Sequence, residues 1–189
     1  SMSSSYMERN DALRDLSHAL EKNEFHVYYQ PVYDAFSGEI ASAEALVRWI
    51  REDGTMVSPG VFVPALEDSG RISQMDLFVE RSALSFLEER YNRGQFIVPI
   101  SVNMSQMDFF DKDMMASVFV DVSNTDLPVD YTRIEVTETA YSMVALNNRN
   151  ALLNMKNIGV KFYLDDFGSG YSSFSTIRDY DFDVVKLDM

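Results

Sequence analysis

The chain has 189 residues, of which 46% are apolar and 13% aromatic, enough for one domain with a substantial core and too apolar for a disordered segment. It has no cysteine, which excludes disulfides, thiolate metal sites and cysteine nucleophiles, and its formal net charge of −14 excludes a surface that tracks the phosphates of duplex nucleic acid. No apolar run approaches the roughly 20 residues of a membrane helix and no secretory pattern opens the chain, so the expectation is a cytoplasmic protein or the cytoplasmic portion of a membrane-anchored parent.

Residues 1–22 read as a cloning remnant or frayed start (Ser1-Met2-Ser3-Ser4-Ser5) followed by a lead-in helix, which Asn10 can cap and which carries Leu13, Leu16 and Leu20 on one stripe. Residues 23–189 read as one unit. Phe25 to Pro31 is strand-like, Ser37-Gly38 signals a turn, and Glu39 to Trp49 returns antiparallel. Pro59 and Pro64 punctuate a short helical segment ending near Asp68, with Gly70 as a stop. A longer helix covers residues 73–91, with Leu77, Leu84, Leu87 and Tyr91 on one face and Gly94 beyond it.

From there the alternation is regular. A strand at 96–102 precedes helical sequence at 111–122, and a strand at 132–136 precedes helical sequence to Asn157, closed by Gly159. A strand at 160–164 leads into a Gly-rich turn and a short helix at 172–178, and a last strand covers Asp183 to Leu187. Strands alternating with helices predict a parallel α/β sheet.

Polar residues cluster at or near the ends of the short apolar runs: Glu44, Asn103, Glu135, Asp165-Asp166, and Lys186 with Asp188. In a parallel barrel the strand ends meet at one rim, where catalytic groups from several strands converge. Carboxylates with one amide suit hard divalent cations such as Mg²⁺ or Mn²⁺. Taken singly, each acid is as well explained by a surface charge or a helix cap. Trp49 reads as core, and His18 and His26 lack metal-ligand spacing. Gly168-Ser169-Gly170 lacks the length and the Lys-Ser/Thr ending of a P-loop, and Asp166-Phe167-Gly168 stands without the other kinase motifs.

The motifs in series are more specific than any one of them. Tyr28-Tyr29-Gln30-Pro31, Glu44-Ala45-Leu46 with Arg48-Trp49, Val102-Asn103-Met104-Ser105, Glu135-Val136-Thr137-Glu138, Asp165-Asp166-Phe167-Gly168-Ser169-Gly170-Tyr171-Ser172-Ser173 and Lys186-Leu187-Asp188 follow in that order. Together they closely resemble the EAL family of bacterial cyclic-di-GMP phosphodiesterases, from Phe25 to the last residue. The resemblance implies a modified TIM-type α/β barrel with an antiparallel first strand. It also implies hydrolysis of one phosphodiester bond of cyclic di-GMP to the linear dinucleotide, assisted by Mg²⁺ or Mn²⁺, with two ions in the complete domain. By motif position Glu44, Asn103, Glu135 and Asp165 resemble the ligands of a first metal and Asp166 a ligand of the second. Lys186 resembles the residue that orients the attacking water, and with Glu44 and Asp165 completes the catalytic set. Glu138 resembles the glutamate that steadies the loop after Asp166, and Gln30, Leu46 and Arg48 resemble substrate contacts.

Two departures stand against the family pattern. Arg51-Glu52 replaces a His-Pro pair common in active members. The chain also stops after what counts as the sixth barrel strand, whereas the family continues with two more strands and a further metal-binding glutamate. A sheet with two open edges is expected to pair with a second copy as a homodimer or swapped assembly, and the truncated chain to be impaired. A sensory or GGDEF-type domain is expected upstream in the parent. The alternative function is a non-catalytic cyclic-di-GMP-binding or protein-interaction module.

Overall fold

The computed structural model of the chain describes residues 18, 19, 21–167 and 182–187. Most of the expected lead-in helix, the short helix expected at 172–178, and Asp188 lie outside the described residues. The described part opens with a helical turn, closed where Lys22 and Glu24 N–H donate to His18 and Ala19 carbonyls at 2.9 Å each.

Strands β1 (Phe25–Tyr33) and β2 (Ile40–Ile50) form an antiparallel hairpin that pairs Phe25 with Trp49 and Gln30 with Glu44. The Asp34 carboxylate closes its turn by accepting from the N–H groups of Phe36 and Ser37 at 3.0 and 2.7 Å, an Asx arrangement. A two-residue strand β3 (Met56–Val57) folds back onto β2, followed by helices α1 (Pro59–Asp68) and α2 (Ile72–Asn92). Then come β4 (Ile100–Asn103), α3 (Lys112–Asn124), β5 (Thr132–Thr137), α4 (Glu138–Asn147), α5 (Arg149–Asn157), β6 (Lys161–Phe167) and β7 (Val184–Leu187).

The sheet order is β1-β2-β4-β5-β6-β7, with β3 paired to β2 beside this path. Each neighbouring pair along the path from β2 onward is parallel, so the antiparallel first strand of a TIM-like α/β fold is present. Among the described residues β1 and β7 each pair on one side only.

The sheet's two faces differ in chemistry because side chains alternate along every strand. Ala43, Ala45, Ile100 and Val102 pack against Val79, Ala83, Leu84 and Leu87 of α2. Ile134, Val136 and Phe162 continue the same face under α3, α4 and α5, against Val118, Val144 and Leu152. The residues between them, Glu44, Ser101, Asn103, Glu135, Tyr163 and Asp165, therefore share the other face, which is polar. A third cluster closes the hairpin's far end: the rings of Phe25, Trp49 and Phe62 lie 5.2 to 5.8 Å apart. Trp49 is fully buried, and its Nε1–H donates to Glu24 Oε2 at 2.8 Å, which agrees with its reading as core.

Several boundaries depart from expectation for local reasons. Strand β4 begins at Ile100, not Phe96, because Pro99 has no N–H for a ladder, although its carbonyl still accepts from Ala43 N–H at 2.9 Å. The helical stretch to Asn157 is two helices broken at Asn148, whose backbone leaves the helical region (φ −146°, ψ 49°) and whose amide donates to the Phe109 carbonyl at 2.5 Å. Strand β6 runs on to Phe167 through a bulge described below.

Glu80 of α2 conflicts with its surroundings. It is 1% exposed, and neither carboxyl oxygen has a hydrogen-bond partner among the described residues. Burial, aided by the charge of Asp121 and opposed by Arg81, pushes its pKa up to about 8. An acid whose folded-state value is raised supports the fold while protonated and ceases to as pH climbs from its unfolded value toward the folded one. Glu80→Met is therefore expected to be more stable than the parent chain, with a gain that grows between about pH 4.5 and 8 to on the order of a few kcal/mol. Urea titrations at both pH values check this, and a pH-independent difference would contradict it.

Candidate functional site at the strand ends

Register brings the site together. Asn103 at the end of β4 pairs with Glu135 on β5, and Thr137 at the end of β5 pairs with Asp165 on β6. Glu44 on β2 pairs with Ser101, one step below Asn103's level on the same face, and Lys186 arrives on β7 beside β6. Five neighbouring strands thus deliver five of the residues expected from the sequence to one place.

Their centre is the Lys186 ammonium. Nζ lies 2.7 Å from Glu135 Oε2, 2.9 Å from Glu44 Oε2 and 3.3 Å from Asp165 Oδ1. Asn103 Nδ2 donates to the other oxygen of Glu44 at 3.0 Å, and Ser101 Oγ–H donates to the other oxygen of Glu135 at 2.5 Å. Burial acts to lower the Lys186 pKa, but the hydrogen bonds to Glu135 and Glu44 outweigh it and hold the ammonium charged. Burial pushes Glu135 up, and the nearby Glu44 charge adds to that, while the Lys186 and Ser101 hydrogen bonds oppose both. Three carboxylates facing one ammonium leave an excess of negative charge at the rim.

Asp165 and Asp166 sit on a β-bulge. Between Leu164 and Phe167, β6 carries one more residue than β7 carries between Val185 and Leu187. Asp166 takes up the extra length with φ 53°, a left-handed conformation that aspartate tolerates better than bulkier side chains. Asp166 is thereby exposed at the strand end, where regular pleating would put it on the helix-covered face.

The remaining expected residues surround this centre less closely. Gln30 pairs with Glu44 across the hairpin and is exposed. Leu46 and Arg48 line a cavity of about 460 Å³ together with Asn103, Glu135, Thr137, Asp76 and Glu67. Arg48 donates from Nη1 to the Val47 carbonyl at 2.9 Å. Glu138 opens α4 after Thr137, which caps that helix by accepting from Ala140 N–H at 3.3 Å; an acid in the first turn also suits the helix dipole. The loop that Glu138 is expected to steady lies outside the described residues. At the departing pair, the Arg51 guanidinium stacks over Trp49 at 5.4 Å, and Glu52 N–H donates to Glu24 Oε1 at 3.2 Å.

Sequence reading missed two parts of the site. Ser101 stands two residues before Asn103, a spacing that puts both on one face of a strand and could have flagged it. Asp76 on α2 and Asp108 in the turn Asp108–Phe110 converge on the Ser105 N–H at 3.3 and 2.7 Å, just after Asn103. Burial, then the Asp108 charge, raises the Asp76 pKa well above the usual carboxylate range. No local pattern announces that pair, because its members meet only in the folded chain.

The donor set fits a hard divalent cation in kind: three carboxylates, an amide whose Oδ1 could serve as a ligand, and surplus negative charge. In spacing it is closed around Lys186, and among the described residues no three acidic or imidazole side chains stand ready-spaced for a metal ion. Admitting a cation therefore requires the ammonium to move from the centre.

Fold and site together define an EAL domain. The chain belongs to this family, which matches residues 13–189. It is 31% identical over 188 residues to the uncharacterized protein sll1895 of Synechocystis, covering 100% of this chain and 27% of that one. It is 30% identical to the cyclic di-GMP phosphodiesterase PA2567 of Pseudomonas aeruginosa, covering 93% of this chain and 30% of the relative. Among solved structures, the PaMucR phosphodiesterase in complex with c-di-GMP superposes with a TM-score of 0.81 at 29% identity, covering 94% of this chain and 72% of that one. The FimX EAL domain from Pseudomonas aeruginosa bound to c-di-GMP, at 20% identity and TM-score 0.81, covers 94% of this chain and 71% of its own and shares the fold. The chain spans about a fifth to a third of the length of the curated relatives it matches.

Replacing Lys186 by methionine is expected to destabilise the metal-free protein at pH 7 by on the order of 2 kcal/mol, less than the roughly 3–5 of a fully buried pair because the lysine is part exposed. Without the ammonium, burial and the Glu44 charge raise the folded-state pKa of Glu135 with less opposition, so the deficit should shrink as pH falls from 7 toward 4 and Glu135 protonates. Melting curves at the two pH values test this; an equal deficit at both would contradict it.

Proposed function

We propose that the chain forms part of a cyclic-di-GMP phosphodiesterase, hydrolysing one phosphodiester bond of the cyclic dinucleotide to give the linear form. The observation that supports this most is the convergence of Glu44, Glu135 and Asp165 on one cationic centre, with Asn103 beside them. Glu44, Asn103, Glu135 and Asp165 would hold a first Mg²⁺ or Mn²⁺, and Asp166 would join in holding a second. The bound ions would supply Lewis-acid charge that activates water and steadies the phosphoryl oxygens. Lys186 would orient the attacking water through Nζ. Arg48 would fork two donors onto a phosphate, Gln30 and Leu46 would contact the nucleotide, and Glu138 would steady the loop after Asp166. In the reaction the water would lose a proton as its oxygen bonds to phosphorus, one ester P–O bond would break, and the leaving alkoxide would take up a proton, so that no net proton is consumed at the bond exchanged.

A second reading has an observation of its own. The Lys186 ammonium satisfies the three carboxylates without a metal ion, which supports a module that binds cyclic di-GMP without cutting it. Turnover of cyclic di-GMP in Mn²⁺, followed by chromatography of the nucleotide, separates the two. The phosphodiesterase reading expects linear product from the parent protein, its loss in Glu44→Ala, and a weakened apparent affinity in Arg48→Lys. Binding without product would favour the second reading, and turnover retained by Glu44→Ala would refute the site assignment.

A further inference from the structure

Glu135 has a partner on each carboxyl oxygen, and the two partners differ in kind. Oε2 faces the rim and accepts from Lys186 at 2.7 Å. Oε1 accepts from the Ser101 hydroxyl, on the same face of the sheet, at 2.5 Å, the short range of a hydroxyl bonded to a charged acceptor. Ser101 and Glu135 are each 2% exposed, so water does not readily replace the hydroxyl as partner of Oε1. The hydroxyl's other neighbour is the Ala43 carbonyl of β2 at 3.3 Å. A serine carries one O–H, and the shorter contact to the carboxylate is the better use of it. Ser101 thereby joins β4 to β5 directly beneath the site, and those two strands carry Asn103 and Glu135.

From this geometry we infer that Ser101 is a positioning residue for the cation site: its hydroxyl pins Glu135 Oε1 so that Oε2 is presented to the rim. The inference rests on the proposed cation-dependent function and adds to it a group that would touch neither cation nor substrate. A glutamate has three rotatable side-chain bonds, and a carboxylate anchored at one oxygen loses most of the freedom that would misdirect the other. Groups that orient a metal ligand in this way typically carry a tenfold to hundredfold effect on metal affinity.

The test isolates the hydroxyl with an isosteric pair. Ser101→Thr and Ser101→Val add the same bulk and have the same branching, and differ at one atom group. Mn²⁺ affinity of the full 189-residue chain is read from the electron paramagnetic resonance signal of free Mn²⁺, with no nucleotide present. The expected result is binding roughly tenfold or more weaker in the valine variant than in the threonine variant. Equal affinity in the two would overturn the inference. Should the added methyl group unfold both, Ser101→Ala, which only removes an atom, is compared with the parent chain, with the same expected loss and the same contradiction. Glu135→Gln separates this inference from the reading beneath it. If that variant loses Mn²⁺ while the hydroxyl variants bind alike, Ser101 is not a positioning residue and the cation site stands. If Glu135→Gln binds Mn²⁺ as the parent does, or the parent does not bind it, the cation reading fails and the inference fails with it.

Discussion

One ion cluster organises the polar face of this domain: the Lys186 ammonium within 3.3 Å of carboxylates from three other strands. The contact joins residues 142 apart in sequence, Glu44 on β2 and Lys186 on β7. Such a cluster is costly to assemble, because repulsion among the acids and loss of hydration both oppose it. Its energy must come from elsewhere, and the opposite face of the same strands provides it. Ala43, Ala45, Ile100, Val102, Ile134 and Phe162 are buried against the helices, and the alternation that sinks them raises Glu44, Ser101, Asn103 and Glu135. Core and site are two sides of one pleat. Shifting any of these strands by one residue would exchange them.

This division explains which parts of the molecule were legible in the sequence. The strand ends stood out because each combines a short apolar run with an acid or amide, and the register then carried Glu44, Asn103, Glu135, Asp165 and Lys186 to the same rim. The antiparallel hairpin was legible from Ser37-Gly38, where Gly38 takes φ 72° as the turn requires. Strand β3 was not, because two residues carry no periodicity. The break at Asn148 was not, since neither glycine nor proline marks it. The bulge at Asp165-Asp166 was read as a pair of acids without its geometry, which arises from the pairing of β6 with β7. Ser101 was overlooked because serine in a strand looks ordinary until its neighbour across the ladder is known. Asp76, Asp108 and Glu80 depend on contacts between distant segments and left no local sign.

The cluster also shows why retaining an acid set does not by itself define an activity. The same carboxylates that suit a divalent cation are here satisfied by a lysine from the neighbouring strand. An internal cation of this sort offsets part of the repulsion among the acids, and a cation entering the cluster would have to compete with it. Coupling of that kind would make metal binding depend on where Lys186 can go when it leaves, and hence on the segments that flank β7.

The proposed function makes this cluster a divalent-cation site from which Lys186 would have to withdraw. Anomalous X-ray diffraction from crystals grown with Mn²⁺ tests it directly. The account predicts a Mn²⁺ peak among Glu44, Asn103, Glu135 and Asp165, with Lys186 Nζ displaced from its present contacts. The account is contradicted if no peak appears there and Lys186 keeps its contacts with Glu44 and Glu135.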